Sequence, residues 1–230
     1  MNINNLPLDV FSLPETGNHI VQVCQNETSQ AEILTQYVME GLANGEGIVI
    51  IARPALRKAV ISKMDALGLD VHAFKSQGQI KFFDAEFLLA GFLIDGVLDE
   101  QAFQQFVASP VLSVQLKFGK VRVFGEMVDV LWKNDQQDLA IELESLWNEL
   151  CNKHELMLLC TYLLDSFDPN NYDNSLERIC KCHTHLLPIN SFNPVVGGAM
   201  LELFGAAWSN VVNKIKESNN ISTPMTDALI

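Results

Sequence analysis

The 230-residue sequence has no apolar run long enough to cross a bilayer. Its longest apolar stretches are of strand length, against the roughly 18 residues that mark a spanning helix. Positive charge is scarce: 15 Lys and Arg stand against 28 Asp and Glu, for a net charge of -13. A field of that sign repels phosphate backbones and anionic headgroups, so neither nucleic acid nor membrane is expected as a partner. Residues 1–13 have no basic segment and no continuous apolar core, so no secretory leader is expected there. The cysteines number five and are not spaced as a disulfide framework. They read as reduced thiols of a cytoplasmic protein. With 48% hydrophobic and 19% charged residues, the chain can build one domain with a full core.

The most telling shortage is local. An apolar run, His19 to Cys24, leads into a polar loop, Gln25 to Gln30, and then a helix-patterned stretch. Gly45-Glu46-Gly47 and a second apolar run, Ile48 to Ala52, follow. That order is strand, loop, helix, turn, strand. Phosphate-binding versions of this unit carry G-x-x-x-x-G-K-[ST] in the first loop, with glycines to let backbone amides close on a phosphate and a lysine to neutralise it. Here the loop reads Gln-Asn-Glu-Thr-Ser-Gln, with neither, and Glu27 adds charge of the wrong sign. The layout of an ATPase is present without its phosphate cradle, so neither catalysis nor a bound cofactor is expected.

The rest of the chain alternates strand and helix. Ser29 with Glu32 three residues on forms a capping-box pattern at the start of the first helix, with Ala31, Leu34, Val38 and Leu42 on one face. Pro54 opens a second helix, striped by Leu56, Val60, Met64 and Leu67 and stopped by Gly68. Ile80–Phe83, Val121–Phe124 and Leu156–Tyr162 read as strands. Asp84 caps a helix through Leu93, Asp99 caps another through Val107, and Pro110 opens a third to Phe118. Leu139, Leu143, Leu146, Trp147 and Leu150 mark a long amphipathic helix. This alternation predicts an α/β fold with a mostly parallel central sheet flanked by helices. Asp173–Cys182 reads as a helix and Leu186–Pro194 as a loop. Gly198–Glu217 reads as a final helix with Leu201, Phe204, Trp208, Val212 and Ile215 on one side, standing apart from the sheet.

Several motifs occur in order: His19-Ile20, Gly41-Leu42 with Gly45-Glu46, Arg122 with Gly125-Glu126-Met127, Glu144 with Asn148, and Leu159-Cys160-x-Tyr162 with Phe167. A Cys182-His183-Thr184-His185 segment and Asn193-Pro194 follow. Together they resemble the MEDS domain, a sensory domain named for methanogens, methylotrophs and the regulator DcmR. The resemblance implies a degenerate RecA-like fold, related to the ATPases that include the clock protein KaiC, without a functional P-loop. It implies sensing of small molecules, hydrocarbon derivatives among them, and coupling to a signalling output such as a histidine kinase or response regulator. It divides the chain into an N-terminal arm (1–18), a sensory domain (19–194) and a C-terminal helix and tail (195–230). No effector domain is recognisable after Pro194, and the histidine segment holds two cysteines and two histidines, so the family's histidine can be either His183 or His185.

Open parallel sheets bind ligands beyond the C-terminal ends of their strands. Cys24, Arg53, Glu126, Cys160 and Tyr162 end strands there and are expected to converge on one ligand pocket, with Trp132 as a lining aromatic. Glu126 falls where RecA-like enzymes hold an acidic residue, and it either anchors a ligand or caps the following helix. Arg122 lies inside an apolar strand, so it binds an anion or, as a buried charge must, an ion-pair partner. His19 is a sheet-edge histidine that the resemblance raises to a ligand candidate. Cys24 and Cys160 are otherwise small core residues. Cys180, Cys182, His183 and His185 offer metal-capable groups at a spacing poor for one tetrahedral site, which an approach by His19 would improve.

The expected function is a non-catalytic sensory module that binds a small molecule or partner protein and relays a conformational change, with a homodimer through the final helix as one assembly. A divergent ATP-binding protein or ATPase and a Cys/His metal or redox sensor are the alternatives.

Overall fold

The structure is a computed structural model that describes residues 19–163, 172–186 and 205–214. The expected N-terminal arm, the segment 187–194 and the outer parts of the final helix lie outside the described residues. In chain order the elements begin with β1 (His19–Cys24), α1 (Glu27–Ala43), β2 (Gly47–Ala52), α2 (Pro54–Ala66), α3 (Val71–Ser76), β3 (Ile80–Asp84) and α4 (Ala85–Phe92). A hairpin of β4 (Leu93–Ile94) and β5 (Val97–Leu98) follows, then α5 (Glu100–Phe103), a π turn (Gln104–Ala108) and α6 (Ser109–Phe118). The second half comprises β6 (Val121–Gly125), α7 (Met127–Lys133), α8 (Gln137–His154), β7 (Met157–Leu163), α9 (Tyr172–Cys182) and β8 (His185–Leu186), with a further helix, α10, over 205–214.

Six strands form one sheet in the order β3-β2-β6-β7-β1-β8. Its pairs are parallel throughout. Strands buried on both faces read as continuous apolar runs, which is why β1, β2 and β7 were visible in the sequence. Side chains alternate between the faces. Ile20, Ile48, Ile50, Phe124 and Leu159 pack under α1 and α2. Val21, Val23, Val49, Ile51, Val123, Leu158, Cys160 and Tyr162 pack under α4 to α9. His19 shares the parity of Val21, so it points to the second face, as do Cys160 and Tyr162. No described helix is long and apolar enough to cross a membrane.

Five details depart from the sequence expectation. The N-cap of α1 is Asn26, not Ser29: the Asn26 side chain accepts from the Ser29 N–H at 2.9 Å, and Ser29 Oγ accepts from the Asn26 N–H at 3.2 Å. Asn ranks with the strongest caps and takes the role one turn earlier. The segment 100–118 is one helical run rather than two helices. Pro110 has no N–H and its ring crowds the carbonyl four residues back, and the turn before it widens so that the Ser109 N–H reaches the Gln104 carbonyl. Two elements went unread: α3, capped by Asp70, and the β4–β5 hairpin, whose Asp95-Gly96 turn holds both residues at positive φ (51° and 78°). The described turns of α10 do not stand apart. Val211 is buried, Ala207 and Trp208 pack against the core, and Lys214 Nζ lies 2.8 Å from Glu177 Oε1 on α9.

Candidate functional site

The expected single pocket does not form. The candidate residues separate into distinct groups, because strand parity sends neighbours in sequence to opposite faces of the sheet.

Arg122 points to the α1 face near the start of β6. Its Nε donates to Glu46 Oε2 at 2.5 Å, and its Nη1 donates to Glu40 Oε2 at 2.9 Å and to the Tyr37 carbonyl at 3.4 Å. The guanidinium also lies 5.1 Å from the centre of the Tyr37 ring. Burial works against the Arg122 charge, but Tyr37, Glu40 and Glu46 more than offset it and raise its pKa. Gly41 makes the arrangement possible: a Cβ there would sit 2.6 Å from Ile48 Cδ1 and 2.8 Å from Arg122 Cδ. The Gly41, Glu46 and Arg122 motif residues are therefore one buried knot that fastens α1 and the α1–β2 turn to the sheet.

Arg53 and Glu126 meet at the C-terminal end of the sheet. Glu126 Oε2 accepts the Arg53 backbone N–H at 2.6 Å, and Glu126 Oε1 accepts from Arg53 Nη2 at 2.6 Å and Nε at 2.9 Å. The guanidinium donates twice to one carboxylate oxygen while the main chain serves the other, and such charge-assisted bonds are stronger than neutral ones. Asp129 lies 3.4 Å from the same guanidinium and 3.3 Å from Lys133 Nζ, and it accepts the Leu163 N–H at 3.2 Å. Burial raises the Asp129 pKa, against these partners. Beside the pair lies a cleft of about 90 Å³ lined by Glu27, Gln30, Arg53, Leu56 and Glu126 among others. Ordinary ligand pockets run to roughly 300–1,000 Å³, so this one suits a group of few atoms. Glu126 is thus tied to the chain's own arginine, and the α1 N-terminus beside it is capped by its own side chains. Cys24 is fully buried nearby, and burial followed by the Asp129 charge pushes its thiol well up.

The remaining candidates converge with His183, from the candidate metal segment, and with Glu144, which was not among the candidate site residues. His19 comes from β1, Glu144 from α8, Cys160 and Tyr162 from β7, and His183 from the turn between α9 and β8. His19 Nε2 lies 3.0 Å from Glu144 Oε2 and 3.3 Å from Cys160 Sγ. Glu144 Oε1 accepts from the Tyr162 hydroxyl at 2.5 Å and lies 3.4 Å from His183 Nε2. Cys160 Sγ is 3.6 Å from Glu144 Oε2, and the two imidazole rings are 4.1 Å apart. The side chains of His19, Glu144 and His183 are 0% exposed. Trp132 meets Tyr162 edge to face at 5.5 Å and closes one side.

Electrostatics follow from this packing. Burial alone raises the Glu144 pKa, but His183, His19 and the hydrogen bonds from His19 and Tyr162 override it and hold the carboxyl at about 2. Burial, then the Glu144 charge, pushes the Cys160 thiol and the Tyr162 hydroxyl well up. Burial and then His19 lower His183 to about 4. His183 Nδ1 is 2.8 Å from the Ile179 carbonyl. Only an N–H can serve that contact, so in the neutral ring Nε2 carries a lone pair aimed at the Glu144 carboxylate. His183 Nε2 and His19 Nδ1 are both buried without a hydrogen-bond partner.

Of the candidate metal residues in the C-terminal segment, only His183 enters the centre. Cys182 Sγ lies 3.4 Å from the Arg178 carbonyl and His185 Nδ1 lies 2.9 Å from Thr184 Oγ1. Burial pushes the Cys180 and Cys182 thiols up to about 12. Glu144 had a readable signal: it sits between Leu143 and Leu146 on the buried stripe of α8, where a carboxylate needs a partner.

The profile of one family, MEDS: MEthanogen/methylotroph, DcmR Sensory domain, matches residues 18–184. No curated protein matches the chain. Among solved structures, the chain is similar to the KaiC-like protein PH0186 from the hyperthermophilic archaea Pyrococcus horikoshii OT3, with 12% identity and a TM-score of 0.46. That match covers 68% of this chain and 66% of PH0186, just under two thirds of its length. His19, Glu144, Cys160, Tyr162 and His183 all lie inside the matched span, and this chain belongs to the MEDS family of sensory domains.

Proposed function

We propose that this chain is a non-catalytic sensory module in which a small molecule, a hydrocarbon derivative among the candidates, or a partner protein alters how the α9–β8 segment docks on the sheet. The observation that carries this reading is the buried His19–Glu144–Cys160–His183 centre, which joins the first strand to the last described part of the matched span. From there the connections lead outward. Arg178 on α9 pairs with Asp138 on α8 at 2.6 Å, and Glu177 pairs with Lys214 on α10 at 2.8 Å. An event at the centre reaches α10 through one helix. Binding shifts such an equilibrium only by its differential affinity for the docked and undocked states. The output would be a signalling protein such as a histidine kinase or response regulator, or a second copy of this chain meeting it through α10.

Support for a non-catalytic role comes from the strand ends. The loop equivalent to a phosphate cradle has no glycine or lysine, and Glu126 is neutralised by Arg53.

Two measurements test the proposal. Hydrogen exchange on His183→Ala should show faster exchange in 183–186 and 205–214 with β2 and β3 unchanged; uniform behaviour across all four would sink the relay. Equilibrium dialysis with labelled magnesium-ATP should show no binding. Micromolar affinity lost in Glu126→Gln would replace this reading with an ATP-binding one.

A further inference from the structure

The buried centre has an unresolved electrostatic problem. Glu144 presents carboxylate lone pairs to His183 Nε2, which presents a lone pair of its own at 3.4 Å. The Ile179 carbonyl fixes that tautomer. A proton on Nε2 would solve the local contact but would create a buried imidazolium 4.1 Å from a second imidazole. A buried lone pair that faces a carboxylate calls for a group that both can bind, and a cation is such a group.

The donor set is that of a metal site. It offers two imidazole nitrogens, one sulfur and one carboxylate oxygen, all within 4.8 Å of one another and all buried. In a tetrahedral site with bonds of about 2.0–2.3 Å, ligand atoms lie about 3.3–3.8 Å apart. Glu144 Oε2 lies 3.0 Å from His19 Nε2 and 3.6 Å from Cys160 Sγ, which are themselves 3.3 Å apart. His183 Nε2 lies 3.4 Å from the other carboxylate oxygen, Oε1. The spacings are near the tetrahedral range, with the His19–Glu144 pair shorter. The surroundings fit as well. The Ile179 carbonyl orients His183, and the Tyr162 hydroxyl holds Glu144 through the oxygen facing that histidine. Such outer partners fix tautomer and ring direction in metal sites.

We propose that His19 Nε2, Cys160 Sγ, His183 Nε2 and a Glu144 carboxylate oxygen form a four-ligand site for a transition-metal ion of zinc type, which fastens the α9–β8 segment to β1. Mixed nitrogen, sulfur and oxygen donors match borderline-soft ions and discriminate against magnesium and calcium. Four protein ligands leave no open coordination position, so the ion is structural or regulatory rather than catalytic. Coordination requires the Cys160 thiol to release its proton to solvent. The site closes on groups already in register. The Thr184 N–H donates to the His19 carbonyl at 2.8 Å, and Thr184 Oγ1 accepts from the His19 N–H at 3.0 Å. The regulatory consequence, metal-dependent docking of α9–β8, rests on the relay reading above; the site itself does not.

The test uses the full chain without a histidine tag, purified without chelators. Elemental analysis should find about one equivalent of zinc. After removal of the metal, cobalt(II) should produce intense visible bands with a thiolate charge-transfer feature in the near ultraviolet. The charge-transfer feature should vanish in Cys160→Ser, and His183→Gln should weaken cobalt affinity at least tenfold. Substoichiometric zinc with no tetrahedral cobalt spectrum in the wild-type chain overturns the site without depending on any variant. So does a spectrum indifferent to both substitutions. Hydrogen exchange of 183–186 with and without zinc separates the two layers: binding without altered exchange upholds the metal site and overturns the relay.

Discussion

The Arg122 knot and the Glu144 centre both bury charge under a parallel sheet, yet they differ in how completely that charge is answered. In the knot, Arg122 Nε and Nη1 reach Glu46, Glu40 and the Tyr37 carbonyl. Its residues come from α1, the following turn and a central strand, and they hold elements that the sheet would in any case bring together. In the centre, two histidine nitrogens are left over, and the residues come from both ends of the matched span. A buried ion pair with matched partners is architecture. A buried carboxylate facing an unmatched imidazole nitrogen is a receptor for something else.

Breaking the knot should have the largest effect. Arg122→Met leaves Glu46 and Glu40 without their cation and should cost about 3–5 kcal/mol of stability, as removal of one partner from a buried pair does. Urea melts of the variant would measure it, and its zinc content should match the wild type if the two regions are independent. The centre should respond in the opposite way. In Glu144→Gln the amide oxygen can take the place of Oε1 and still accept from Tyr162, and the amide nitrogen, in the place of Oε2, can donate to His19 Nε2 in its Nδ1–H tautomer, so metal-free stability should change by less than about 1.5 kcal/mol, the scale of one net hydrogen bond. What should disappear is the zinc-dependent gain, about 2.7 kcal/mol for the wild type at a free metal concentration 100 times Kd. A metal-free loss as large as that of Arg122→Met would erase the distinction between the two regions. The smallest change sharpens it: Gly41→Ala adds a Cβ against Ile48 and Arg122 and should cost about 1–3 kcal/mol by overpacking, with no effect on metal affinity.

Much of the layered fold was legible because it is written in short-range pattern. The apolar runs of β1, β2 and β7, the Asp84 and Asp99 caps and the Gly45 turn (φ 75°) all follow local rules. The α3 helix is short, with Val71 as its only buried residue, so it offered almost no periodicity. The hairpin is two residues a side, too brief for alternation to register although its Asp-Gly turn was in view. Pro110 reads as a helix start because proline favours that position, and the π turn that lets a helix pass through it has no sequence signature of its own. The site was legible by type but not by grouping. His19, Cys160 and Tyr162 were singled out as ligands together with Cys24, Arg53, Arg122 and Glu126, yet alternation along the strands sends these to different faces and ends. His183 and His185 look equivalent in the sequence. The direction of the α9–β8 turn separates them, placing His183 inward and His185 on the sheet margin.

Among the described residues, the two-residue strand β8 is the outer neighbour of β1, covering it at Ile20 and Val21 beside the Thr184 contacts to His19. Lifting it away would bare a row of main-chain donors and acceptors on a strand that is otherwise entirely interior. Unpaired rows of that kind template the addition of an incoming extended segment. The undocked form of this domain would therefore offer a sticky seam as well as a displaced helix, and a partner able to lend one strand could hold it open.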